Sequence, residues 1–230
     1  MTKINIRRSA FEDVIRLVSD EFLNFSFSQE GEDVLFDRIT EGKITKGFYV
    51  DVGAHHPRRF SSTYSLYLKG WSGINIEPNP ELASLLNLER KRDININMGV
   101  SNARGSMKYY MFKEPALNTF SESRYEELKS EWELLETKSI DVLPLSEILN
   151  NYLPQGRRID LMNIDVEGLD IEVINSNNWE KFSPDYLLVE DRVDILEIRS
   201  SYIFKALSEF GYIPISKLDA TFLYKKTRAV

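Results

Sequence analysis

The sequence predicts an α/β protein, a mostly parallel sheet with helices on both faces, carrying an N-terminal helical cover and an inserted segment. Three observations predict it. Apolar runs of strand length alternate with helix-like segments, the order that builds helices onto a parallel sheet. Most of those runs end in a carboxylate or a glycine, at the edge where open α/β sheets form their ligand crevice. The 230 residues are 42% hydrophobic, which supplies apolar side chains for one core of ordinary domain size. One domain over residues 1–230 is therefore expected, with residues 1–45 as cover and residues 105–138 as insertion or lid.

Phe11, Val14, Ile15 and Val18 recur at three- and four-residue intervals and run on to Phe22 and Phe25, predicting an amphipathic N-terminal helix. A second helix is predicted over residues 28–39, with Ser28 as N-cap and early carboxylates that suit the helix dipole, although Gly31 weakens it. Phe48-Tyr49-Val50-Asp51-Val52-Gly53 is a buried strand. Further strands are expected at 73–77, 94–100, 159–165 and 186–190, and helices at 61–69, 80–92, 145–152, 169–175 and 195–210. The similar triplets Ile74-Asn75-Ile76 and Ile94-Asn95-Ile96 are two buried strands rather than a repeat. Residues 211–215 and 221–224 form a closing antiparallel pair, where Pro214 suits an edge. Residues 105–138 interrupt this rhythm with a strand at 107–112, a polar middle at 118–123 and a charged helix over 124–136. The run Glu89-Arg90-Lys91-Arg92-Asp93 reads as a solvated helix end, and Trp71, Trp132 and Trp179 as packing, with Trp132 also placed to serve a lid.

Composition excludes several classes. Only 11 Gly and 8 Pro accompany 28% charged residues, so collagen-like and disordered readings fall. The formal charge of −7 lacks the basic excess used to displace counterions from nucleic acid. With no Cys there is no disulfide framework, thiolate nucleophile or zinc ribbon, which suits the reducing cytoplasm expected as location. The first twenty residues scatter Lys3, Arg7, Arg8, Glu12, Asp13 and Arg16 among apolar ones, so no signal peptide and no membrane insertion are expected.

Asp51, Glu77, Asp165 and the pair Glu190-Asp191 sit at strand ends and gather negative groups on one rim of the sheet. Each alone is equally an ordinary cap or loop residue. The first turn, Asp51-Val52-Gly53-Ala54-His55-His56-Pro57, holds one glycine where a dinucleotide pyrophosphate needs several for close backbone approach. A nucleoside with an ammonium group and ribose hydroxyls instead needs acidic acceptors. Glu77, one strand, helix and strand beyond Asp51, is placed to accept both ribose hydroxyls, so S-adenosylmethionine is favoured over NAD.

Four motifs then resemble the FkbM-type S-adenosylmethionine-dependent methyltransferases: Ser28-Gln29-x-Gly31-Glu32-Asp33, the Phe48 to Pro57 segment, Gly70-Trp71-x-Gly73-x-x-x-Glu77-Pro78-x-Pro80, and Asn163-Ile164-Asp165-Val166-Glu167-Gly168. The resemblance implies a class I, Rossmann-like fold whose last strand is antiparallel, and methyl transfer to an oxygen of a sugar, glycan or polyketide-type acceptor. It implies that Asp51, Gly53 and Ala54 touch the methionine portion of the donor and that Glu77 holds the ribose. It further implies that Pro78 flanks the adenine, that Ser101 approaches it, and that Gln29, with His55 in the same first loop, completes the pocket. Ser61-Ser62-Thr63 departs from the pattern, which has Asn in the middle.

A hydroxyl is a poor nucleophile at neutral pH, so the enzyme must align acceptor and methyl and help remove a proton. His55 and His56, the two histidines of the chain, are candidate bases, and so are Asp165 and Glu167. Asp165, Glu190 and Asp191 could instead form an oxygen-only Mg²⁺ site that lowers the hydroxyl pKa. A nucleotide-linked oxidoreductase and a non-catalytic binding module on the same fold are the rival readings. The residues leave the acceptor, the oligomeric state and the pathway open.

Overall fold

The computed structural model describes residues 24–227. The expected helix through Phe11, Val14, Ile15, Val18 and Phe22 lies outside them. The seven-stranded sheet runs in the order β3-β2-β1-β7-β8-β10-β9, built from β1 (Phe48–Val52), β2 (Ser72–Ile76), β3 (Ile94–Ile96), β7 (Leu161–Ile164), β8 (Tyr186–Glu190), β9 (Tyr212–Lys217) and β10 (Thr221–Lys226). The first five are parallel, and β10 is antiparallel to both β8 and β9. This is the mixed sheet with an antiparallel final strand that the sequence predicts. The two Ile-Asn-Ile triplets are neighbours in parallel register, Ile74 on Ile94 and Asn75 on Asn95.

Side chains alternate across the pleat and so build two cores. Phe48, Val50, Val52, Met162, Ile164, Leu187 and Val189 face one side, under α5 (Leu145–Tyr152), α6 (Asp170–Asn175) and α7 (Tyr202–Glu209). Tyr49, Leu161, Leu188 and Leu223 face the other, packed on Phe36 of α1 (Glu32–Thr40), Leu66 of α2 (Tyr64–Leu68) and Trp71. The helix α3 (Pro80–Glu89) starts at Asn79, whose side chain accepts from the Glu81 N–H, with Pro80 in its first turn.

Besides the strand expected over 94–100, which ends at Ile96 and resumes as Gly99–Val100 in another sheet, four expectations change. Ser28 does not cap α1. Gly31 takes the N-cap position, at φ 96°, while the Ser28 hydroxyl, three residues earlier, accepts from the Asp33 N–H at 3.4 Å and donates to the Asp33 carboxylate at 2.9 Å. The charged helix ends early, at Leu128 of α4 (Glu122–Leu128), and Leu134–Leu143 forms strand β6. That strand pairs antiparallel with β5 (Gly105–Phe112) and parallel with the short β4 (Gly99–Val100), so the insertion is a second, three-stranded sheet reaching Leu143. The helix expected over 195–210 is a 3₁₀ turn, Ile195–Ser200, followed by α7.

The fourth change is the largest. Asn95, Asn75, Asp51 and Asn163 stand side by side on adjacent strands, a polar row across the second face of the sheet. Arg90 and Asp93, expected in solvent, close that row: their side chains are 1% and 0% exposed and 2.9 Å apart. The Arg90 guanidinium also donates to the Tyr49 hydroxyl (2.6 Å), the Thr63 hydroxyl (3.0 Å) and the Pro57 carbonyl (3.0 Å). Asp93 in turn accepts from Tyr49, the Gly73 N–H and the Asn75 amide. A row of polar side chains can be buried only with such partners. Removing the cation strands a buried carboxylate, so Arg90→Ala should lower the unfolding free energy by about 3–5 kcal/mol in urea titration; a loss below about 1 kcal/mol would contradict this account.

Candidate active site

The carboxyl ends of β1, β2 and β7 open into a cleft that mixes carboxylates with apolar walls. Asp51, Gly53, Ala54, His55, Glu77, Pro78, Gln29, Asp165 and Glu167 all line it. Asp51 is buried, and its two oxygens accept from the Thr63 hydroxyl (2.7 Å) and the Asn163 amide (3.0 Å). Burial raises its pKa, opposed by those two hydrogen bonds. The unusual Ser61-Ser62-Thr63 loop therefore joins Asp51 to Arg90 through the Thr63 hydroxyl, while Ser62 faces the cleft.

After Asp51 the chain turns at Gly53, with φ 80°. A Cβ there would lie 1.9 Å from the Asp165 carbonyl oxygen, so only glycine lets the loops after β1 and β7 approach this closely. His55 also has a left-handed backbone, φ 52°, and its N–H donates to Glu77 at 2.7 Å. The other Glu77 oxygen accepts from the Asn79 N–H at 2.8 Å. These bonds fix the Glu77 carboxylate, and burial pushes it up to about 7. Each oxygen keeps a lone pair for a ligand hydroxyl.

The two histidines differ. His55 lines the cleft, its ring stacks near Phe60 and its buried Nε2 has no partner among the described residues; burial lowers its pKa to about 4, so it is neutral at pH 7. His56 is outside the cleft lining. Its Nδ1 accepts from the Arg58 and Arg59 N–H groups, both at 3.1 Å, which ties up the turn. Ser101 is also outside the lining, with its N–H on the Leu143 carbonyl, and Met98, Gly99 and Val100 take the place expected for it.

Beyond Asp165 the cleft runs into a second hollow, which shares Gln29, Glu32, Asp165 and Glu167 and adds Glu30, Glu190, Arg192 and Asp219. Carboxylate oxygens of Asp165, Asp170 and Glu190 lie within 4.8 Å of one another. Asp191 is not part of that group: it accepts from the Ser201 hydroxyl and the Val193 N–H, bracing the start of α7. Asp170 accepts from the Val166 and Gly168 N–H groups, and Glu190 pairs with Arg192 at 2.8 Å. Glu167, at φ 52°, meets Arg124 at 3.4 Å and Arg192 at 3.8 Å. Asp165 has accessible surface inside the cleft, yet protein crowds it on its other sides; burial and the Glu190, Glu167 and Asp170 charges push its carboxyl well above the usual range. Burial, then Glu190, raises both Glu167 and Asp170 to about 7. Glu167 and Asp170 therefore titrate near neutral pH beside Asp165, the condition for a proton acceptor working there.

Sequence reasoning missed the wall opposite. Tyr109 of β5, the Pro115–Leu117 turn, Asn118 and Phe120 all come from the insertion and line the cleft. No local motif marks them, because a chain excursion through a separate sheet brings them there.

Among solved structures, the chain is similar to fibrillarin of Aeropyrum pernix with bound S-adenosyl-L-methionine, at 13% identity and a TM-score of 0.44 over 84% of this chain and 74% of that one. It is similar to a TehB-like SAM-dependent methyltransferase of Corynebacterium glutamicum, at 9% identity and 0.40 over 95% and 97%. It is also similar to an O-methyltransferase of Bacillus cereus in complex with SAH, at 10% identity and 0.38 over 96% and 92%. No curated protein sequence matches the chain. The family described as methyltransferase FkbM domain matches residues 51–214, well over half of the chain and all of the sheet from Asp51 to the start of β9. With its parallel sheet closed by an antiparallel strand and its acid-lined cleft at the strand ends, the chain belongs to the FkbM family of S-adenosylmethionine-dependent methyltransferases.

Proposed function

We propose that this methyltransferase is an O-methyltransferase acting on a hydroxyl of a polyhydroxylated small molecule, a sugar or glycan in preference to a polyketide. The observation that carries the reading is the close approach of Gly53 to the Asp165 carbonyl, which sets the loop that would seat the donor directly beside a carboxyl raised well above its usual range. The donor fits the residues present. Glu77 would hold the ribose hydroxyls, Pro78 would flank the adenine, Asp51, Gly53 and Ala54 would face the methionine portion, and Gln29 would close the side. When bound, S-adenosylmethionine supplies a methyl group on a sulfonium leaving group.

The chain's own groups do the rest. The second hollow presents Glu30, Glu32, Glu190 and Asp219, acceptors matched to a ligand rich in hydroxyl donors. Asp165 would take the proton from the attacking hydroxyl, and a bound donor would supply the methyl group and leave as the neutral thioether. Glu167, held by Arg124 and Arg192, sets the field in which Asp165 titrates. A divalent cation fits less well: Asp191 is turned away, Asp170 is spent on two N–H groups and Glu190 is paired with Arg192. Asp165 remains the member with no side-chain partner among the described residues.

Calorimetry should show S-adenosylmethionine binding and no NADH binding, and Glu77→Gln should weaken the former at least tenfold; tight NADH binding would sink the assignment. In a screen of sugar and glycan acceptors with labelled methyl donor, turnover should persist in excess EDTA. Recovery of a lost activity by added Mg²⁺ would replace the base with a metal.

Asp165→Asn should cut kcat by about 10²–10⁴. The wild-type rate should climb through an apparent pKa near 7 as Glu167 and Asp170 beside Asp165 lose their protons. Because these carboxyls titrate higher folded than unfolded, their contribution to stability is full below about pH 4.5 and is lost as pH rises towards 7. Ligand-free Asp165→Asn should accordingly melt above the wild type at pH 8; a lower Tm would contradict the crowding.

A further inference from the structure

The insertion contributes a buried donor that, among the described residues, has only the Tyr109 hydroxyl near it. Asn118 is 7% exposed and lines the cleft. Its Oδ1 accepts from the Phe112 N–H at 2.7 Å, which fixes the amide: the oxygen must face that N–H, so Nδ2 is the group left over. Nδ2 is buried without a hydrogen-bond partner. The Tyr109 hydroxyl lies beside it without making a proper hydrogen bond, and the Tyr109 ring packs on Phe120 at 4.5 Å. An orphan amide N–H in a protein interior is an unmet demand for an acceptor, and Asn118 stands in the wall of the cleft.

Its position says which half of the cleft it serves. Phe120 is pressed against Gly99, where an added Cβ would come within 2.5 Å of the ring, so the Tyr109–Phe120 pair is seated on the segment after β3. Met98 and Gly99 of that segment line the cleft together with Glu77 and Pro78. The charge of Glu77, more than that of Glu167, bears on the Tyr109 hydroxyl. We infer that Asn118 and Tyr109 form a hydrogen-bonding hook for the adenosyl half of the methyl donor. Asn118 Nδ2 donates to a neutral ring nitrogen or ribose oxygen, so the inserted sheet completes the donor seat as well as facing the acceptor. This rests on the donor placement proposed above.

The test is calorimetric binding of S-adenosylhomocysteine, without acceptor, to the full chain and to two variants. Asn118→Asp keeps an oxygen for the Phe112 N–H and replaces the free N–H with an acceptor; it should raise Kd at least tenfold. Tyr109→Phe removes one hydroxyl and should raise it several-fold. Should Asn118→Asp fail to fold, as judged by circular dichroism, Tyr109→Phe carries the test alone. Binding within twofold of wild type, or an effect confined to the KM of the acceptor, overturns the inference while the proposed function stands. Absence of binding to the wild-type chain would instead overturn the donor placement itself, and this inference with it.

Discussion

The buried Arg90 guanidinium is the interaction on which the rest of the cleft depends. A polar row crossing four strands beneath the cleft is expensive to bury, and one cation supports it by reaching Asp93, Tyr49, Thr63 and the Pro57 carbonyl together, although the Asn75 Oδ1 keeps no partner among the described residues. Through Thr63 it holds Asp51, and through Pro57 it holds the loop that carries His55 and His56. The planar fork of arginine suits this divergent set in a way that a lysine ammonium would not.

Most of the sheet was legible because its determinants are local. Runs such as Phe48–Val52 and Tyr186–Glu190 are apolar, β-prone and stopped by a turn residue, and the carboxylates at their ends mark the crevice whatever the tertiary details. Asp51, Glu77 and Asp165 do meet in one cleft. The placement of Arg90 and Asp93 was not legible: five charged residues after a helix look the same whether they meet water or a polar row, and only the packing of α2 and α3 on the sheet decides. Strand β6 was hidden for a related reason. Its Glu136, Thr137, Ser139 and Asp141 are exposed, so much of its pattern reads as solvated, and its pairing partner lies across the insertion.

The carboxylates show the same division between type and partner. Strand-end position identified Asp165 and Glu190 as members of one cluster, but not Asp170, which reaches them from the first turn of α6. Asp191 differs from Glu190 by one residue and points to the opposite side of the strand, so it braces Ser201 rather than the cleft. Such choices are made by the pleat and by the following loop, one residue at a time.

The bare α-carbon of Gly53 against the Asp165 carbonyl has a consequence for how this protein can change. Two loops this close at a residue without a side chain leave no room for a larger one at position 53, so their spacing cannot be retuned by substitution there. Adaptation to a new acceptor must then be absorbed elsewhere. The three-stranded sheet of the insertion, with its own hydrogen-bond ladder and a small core of Tyr110, Phe112 and Leu128, is the part free to be remodelled without disturbing that fixed spacing.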